Sequence, residues 1–111
     1  MSLPIAFEKN SAEYTVADSA ALDAMLARVK AALGSDPRLR LEVGGHASGD
    51  GAEARNEHLG YGRATAVVSY LEKQGVESHR IRVRSYRSSL PLVPGDGADP
   101  SNRRVTLRLI D

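Results

Sequence analysis

Asn56 and Arg63 stand seven residues apart in a stretch of helical periodicity, so their side chains share one face. Gly60 lies between them and leaves that face open. A guanidinium so placed can grip a carboxylate through two parallel hydrogen bonds. It can equally pair with an internal acid while Asn56 ties down the preceding turn. Just upstream, Gly45-His46-Ala47-Ser48-Gly49-Asp50-Gly51 is a glycine-rich turn between an alternating strand and this helix. Its N–H groups gather where the helix starts, which suits an anion, and its glycines suit a tight turn with positive φ. Gly49-x-Gly51-x-x-Ala54 imitates a dinucleotide fingerprint. The preceding strand alternates with charge, however, and the chain is too short for two mononucleotide halves.

His46, His58 and His79 fall on a loop, a helix and a connector, without the i, i+4 spacing of a zinc helix. Ser48, His46 and Asp50 are neighbours on one turn and cannot converge as a triad, and no nucleophile elbow is present. Neither catalysis, a metal centre nor a cofactor is expected. A formal net charge of +1 supplies no global field for nucleic acid or anionic lipid. The chain has no cysteine, which excludes thiol chemistry and disulfides.

These residues need a scaffold, and 111 residues suit one domain with one core. Pro4-Ile5-Ala6-Phe7 is short enough for a first strand, left by the polar run Glu8 to Ser11. Asp18 or Ser19 caps a helix carrying Leu22, Met25, Leu26, Val29 and Leu33, with Gly34 as its stop. Leu39, Leu41 and Val43 alternate with Arg38, Arg40 and Glu42 in a second strand. A second helix is expected from about Ala52 to Gln74, with Ala64, Val67, Val68 and Leu71 as its apolar stripe and Gly75 just beyond. Ile81, Val83 and Ser85 mark a third strand, and a Pro/Gly-rich loop follows. Val105, Leu107 and Leu109 share one face of the last strand.

Strands buried on both faces read as continuous apolar runs, and these alternate. The prediction is therefore an α/β two-layer sandwich of βαβαββ order, with a mixed sheet and both helices packed on one face. The other face would carry Arg40, Arg82, Arg84 and Arg108, with Glu42 as a partial counterion. Its outward positions hold no aromatic for stacking bases, so a solvated charged face is expected in place of a nucleic-acid surface. Met1-Ser2-Leu3 reads as an expression scar and residues 4–111 as the domain, cut from a longer protein whose export signal or anchor lies outside it. No apolar run reaches the roughly 18–20 residues that span a bilayer, so direct membrane insertion is not expected.

Gly45-His46, the glycine-rich turn, Asn56, Leu59-Gly60, Arg63-Ala64, Val67, Leu71 and Asn102-Arg103-Arg104-Val105 together resemble the OmpA-like peptidoglycan-binding domain family of OmpA, Pal and MotB. The resemblance runs from Ile5 to Val105. It implies a periplasmic domain of a membrane-anchored parent that binds the peptide stem of peptidoglycan, is not an enzyme and needs no cofactor. Members of this family hold a diaminopimelate head group between an Asp on the turn and the Arg of the Arg-Ala pair. The Arg falls on Arg63 and the family Asn on Asn56. The Asp falls on Ser48, so the acid is missing, although Asp50 is close enough to restore the charge. The ligand-binding set so implied is Arg63, Asn56, Ser48, Asp50 and His46.

Other departures are Arg55 for an aromatic, Arg87 for a glycine, and Gly62 inside the helix. They keep open a degenerate member that acts as a protein-interaction module in an envelope or secretion assembly. A nucleic-acid binder using the Arg-rich face is a second alternative.

Overall fold

The computed structural model describes residues 1–48, 52–90 and 100–111. The first helix, α1 (Ser19–Ser35), starts where Asp18 Oδ1 accepts the Ala21 N–H at 3.0 Å. Leu22, Leu26, Val29 and Leu33 form its buried stripe. Gly34 is not the stop: the helix runs past it to Ser35. Asp36 ends it in extended conformation, because Pro37 bars the residue before it from helical geometry.

The main sheet has three strands in the order β4-β3-β5. The central one, β3 (Arg40–His46), runs parallel to β4 (Ile81–Arg87) with Val43 opposite Val83. It runs antiparallel to β5 (Val105–Ile110) with Val43 opposite Leu107. Leu41 and Val43 point beneath the helices and are fully buried. The second helix, α2 (Glu53–Lys73), crosses this sheet with Asn56, Gly60, Arg63, Ala64, Val67 and Leu71 buried. Gly75 follows it at φ +96°, the left-handed geometry that stops a helix. A Cβ on Gly45 would lie 1.6 Å from the Gly60 carbonyl oxygen. Strand and helix therefore meet backbone to backbone, and only glycine fits on the strand.

The mixed two-layer α/β sandwich holds, with one strand more than the sequence suggested. β1 (Ile5–Phe7) pairs antiparallel with β2 (Tyr14–Val16), giving the order ββαβαββ. The extra strand has three residues with no buried alternation, so its pattern carries no signal. Ile5 and Phe7 join the core. Ahead of them Leu3 is buried too, and its N–H donates to the Val105 carbonyl at 2.9 Å.

Three placements differ from expectation. Glu42 is buried, because β3 is central and Tyr86 and Arg108 close over it. Leu109 is 36% exposed, since β5 is an edge strand left uncovered near its end. β4 continues two residues beyond Ser85, which sets Tyr86 on the face opposite the helices. The Pro/Gly-rich loop expected after β4 falls largely outside the described residues. Among the described residues no helix is long and apolar enough to cross a membrane.

Candidate functional site

Arg63 is the largest fully buried side chain described. α2 drives it into the junction of the β1–β2 loop and the end of β3. Its Nε donates to the Ser11 carbonyl at 2.9 Å, one terminal nitrogen to the His46 carbonyl at 2.9 Å, and the other to the Glu8 carbonyl at 3.2 Å. The guanidinium carbon sits 5.1 Å from the Phe7 ring centroid, a cation–π contact. Burial, and then the charge of Arg103, lower its pKa to about 10, so it remains charged at neutral pH. The internal partners among the described residues are thus carbonyl dipoles where the spacing had suggested an acid. Three of five N–H donors are committed to loop backbone, which makes Arg63 a clasp as well as a candidate anion holder.

The other expected residues gather around this clasp to different degrees. Ser48 is buried two residues beyond the His46 carbonyl that Arg63 holds. Asn56 is buried on the same face of α2 as Arg63. Asp50 lies outside the described residues. His46 is split between two faces: its carbonyl turns to Arg63, while its ring lies on the open face of the sheet. It closes β3 as a strand residue, where a loop position was expected. His58 and His79 stand apart on α2 and on the 3-10 turn Ser78–Arg80. Among the described residues no cluster of three His, Asp or Glu could hold a metal.

Residues outside the expected set complete the junction. Phe7 lies under the Arg63 guanidinium, and its carbonyl accepts from Arg103 Nε at 2.8 Å. Asn102 is buried in the 3-10 turn Pro100–Asn102. The lone phenylalanine closing a short strand and the Asn102-Arg103 pair of the family pattern were the available signs of this arrangement.

The open sheet face is more structured than a solvated arginine surface. The Tyr86 ring stacks on His46 with centroids 5.0 Å apart and planes 12° apart, and Arg84 lies 4.7 Å from its centroid. Its hydroxyl donates to Glu42, whose second oxygen accepts from Arg108 at 3.0 Å. Burial works to raise the Glu42 pKa. The Tyr86 hydrogen bond and then Arg108 outweigh it and hold the carboxyl below its ordinary value. The aromatic expected to be absent from this face is therefore present, though its ring is already engaged by His46 and Arg84.

The model of the OmpA family matches residues 6–104. The peptidoglycan-associated lipoprotein of Burkholderia pseudomallei superposes with a TM-score of 0.75 at 26% identity, over 96% of this chain and 88% of that one. The periplasmic domain of Helicobacter pylori MotB superposes with a TM-score of 0.68 at 22% identity, over 98% and 79%. The latter likeness is one of fold. Photosystem I P700 chlorophyll a apoprotein A2 of Gloeobacter violaceus is 35% identical over 82 residues. Those residues are 67% of this chain and 9% of that protein, so the likeness is to a small part of a far longer polypeptide.

Proposed function

The chain belongs to the OmpA family, and from that premise we propose that it anchors an envelope protein to the bacterial wall by holding the peptide stem of peptidoglycan without cleaving it. The observation that carries this is the buried, charged Arg63 at the junction of the β1–β2 loop and the end of β3. A stem carboxylate arriving there displaces the Glu8 carbonyl, the longest of the three bonds. It substitutes a full negative charge for a dipole, and a charge-assisted pair is the stronger of the two. The Burkholderia relative is peptidoglycan-associated and the Helicobacter domain is periplasmic, which supports a periplasmic setting for this domain too.

The ligand we propose is the diaminopimelate head group, with its carboxylate on Arg63 and its ammonium toward Ser48. A serine there accepts a hydrogen bond but brings no charge. Removing one partner of a desolvated charged contact costs about 2–5 kcal/mol. At about 1.4 kcal/mol per decade, affinity falls by tens to thousands of fold. The native domain is therefore a weak binder unless Asp50 supplies the charge.

Co-sedimentation with purified sacculi tests the anchoring, and calorimetric titration with a diaminopimelate stem peptide tests the site. Ser48→Asp should tighten peptide binding at least about tenfold, since a well-placed charged hydrogen bond contributes about 1.5–3 kcal/mol. Asp50→Asn should weaken the native protein only if that residue replaces the missing acid. Failure of the native protein on sacculi, together with failure of Ser48→Asp on the peptide, would reject this function. It would favour a protein-interaction module, the reading that Ser48 and the left-handed Arg87 (φ 55°) already point toward.

A further inference from the structure

On the open face of the sheet, away from the helices, a cavity of about 220 Å³ is lined by Glu42, His46, Tyr86, Leu90, Arg104 and Thr106, among others. We propose that this cavity is a carboxylate-binding site in which the Arg104 guanidinium and the His46 ring are the donors. Arg104 donates one terminal nitrogen to the Leu90 carbonyl at 2.9 Å. Its Nε and its other terminal nitrogen are buried without a partner among the described residues. A guanidinium has donors only, so nothing but an acceptor can satisfy them. His46 is 2% exposed and bonds Thr106 Oγ1 through Nε2 at 2.9 Å, while its Nδ1 has no partner among the described residues. In this proposal the Thr106 hydroxyl donates to Nε2, which leaves the ring proton on Nδ1 to be offered to the ligand.

Buried donors without acceptors are rare in folded proteins. Two guanidinium nitrogens of Arg104 that need an acceptor define what should fill the cavity, and the His46 ring joins them in the tautomer proposed. The local charge selects further. Arg104, Arg108 and Met1 with its α-ammonium line the cavity, and Glu42 is the one acid among its described lining residues. Its two oxygens accept from Tyr86 and from Arg108, and neither reaches the two unpartnered Arg104 nitrogens. The planar fork of the guanidinium matches a planar carboxylate through two parallel N–H···O bonds. Burial, and then the Arg104 charge, push the His46 pKa down to about 4, which keeps the ring neutral and able to donate from Nδ1. The orphan nitrogens are closed off from water, so entry requires a lining side chain to shift. Leu90, 52% exposed, has room to do so. This site is separate from Arg63, which meets the His46 carbonyl from the helix side.

The test follows the His46 imidazole nitrogens by NMR while acetate, acetyl-Gly-Gly with a free carboxyl end, or its carboxamide is added at constant ionic strength. Both acids should shift Nδ1 saturably with Kd of order millimolar, and the carboxamide should not. Equal affinity for the two acids identifies the carboxylate group alone as the ligand. Tighter binding of the peptide identifies a chain end. Arg104→Lys keeps the charge but loses the guanidinium geometry, and should weaken binding by about tenfold. If that variant does not fold, Thr106→Val is read in its place: with Nε2 released the ring can hold its proton there, and affinity should fall at least about threefold. An Nδ1 that does not move below about 100 mM acid, moves equally with the carboxamide, or responds unchanged in the folded variant would overturn the proposal.

Discussion

Arg63 ties three carbonyls of otherwise separate segments to α2, so any substitution there acts on the fold before it acts on a ligand. Arg63→Ala should lower the free energy of unfolding by about 3–5 kcal/mol, since charged hydrogen bonds and buried packing are lost together. Denaturant titration measures this, and a loss below about 1 kcal/mol would show that the clasp is not structural. For the same reason loss of binding in that variant says little, and the gain expected from Ser48→Asp is the cleaner probe. His46 makes a pH prediction. Its folded pKa of about 4 lies below the ordinary 6.5. The unfolded chain therefore takes up its proton first, and the neutral ring's contribution is complete above about 6.5 and lost as pH falls toward 4. The full difference corresponds to about 3 kcal/mol. His46→Gln should flatten that part of the stability profile. An unchanged slope between pH 6.5 and 4 would mean that the ring is not buried neutral.

Two glycines show how elements could and could not be read from their residues. Gly34 looks like a helix stop, yet α1 continues through it, and a Cβ there would meet nothing within 4 Å. Gly34→Ala should therefore stabilise by about 0.5–1 kcal/mol, the helix-propensity difference near a terminus, where a true left-handed cap would be destabilised. Gly45→Ala should do the opposite and cost more than about 3 kcal/mol, because the new methyl collides with the Gly60 backbone. Thermal melts of the two variants, shifting in opposite directions, check both. The helices and the β3 and β5 faces were legible because their apolar residues repeat at 3.6 or 2 over many positions. β2 was not, being three residues long, and neither was the reach of β4 to Tyr86. Of the candidate site, the shared buried face of Arg63 and Asn56 was legible from helical spacing. Their carbonyl partners were not, since backbone acceptors leave no trace in residue identity. The Arg104–His46 pairing across β3 and β5 depended on register, which local sequence does not carry.

At the scale of the whole molecule, α2 and the hairpin share one core with the three-stranded sheet, and its limits decide which side chains matter. Leu107 and Leu109 occupy the same face of β5, and alternation treats them as equals. The structure does not: Leu107 is 1% exposed within the core, and Leu109 is 36% exposed at the edge. Leu107→Ala should cost about 2–5 kcal/mol, through lost transfer energy and the cavity left behind. Leu109→Ala should cost less than about 1 kcal/mol, because its site collapses into solvent. Arg108→Ala falls between them, near 1 kcal/mol by the same scale: it strips one partner from buried Glu42, while the Tyr86 hydroxyl remains to hold the other oxygen. Three urea titrations with equal m-values would rank these losses as Leu107, Arg108, Leu109. If Leu109→Ala matched Leu107→Ala, the helix layer would extend over the edge of β5. The open face and its cavity would then be bounded differently from the sheet described here.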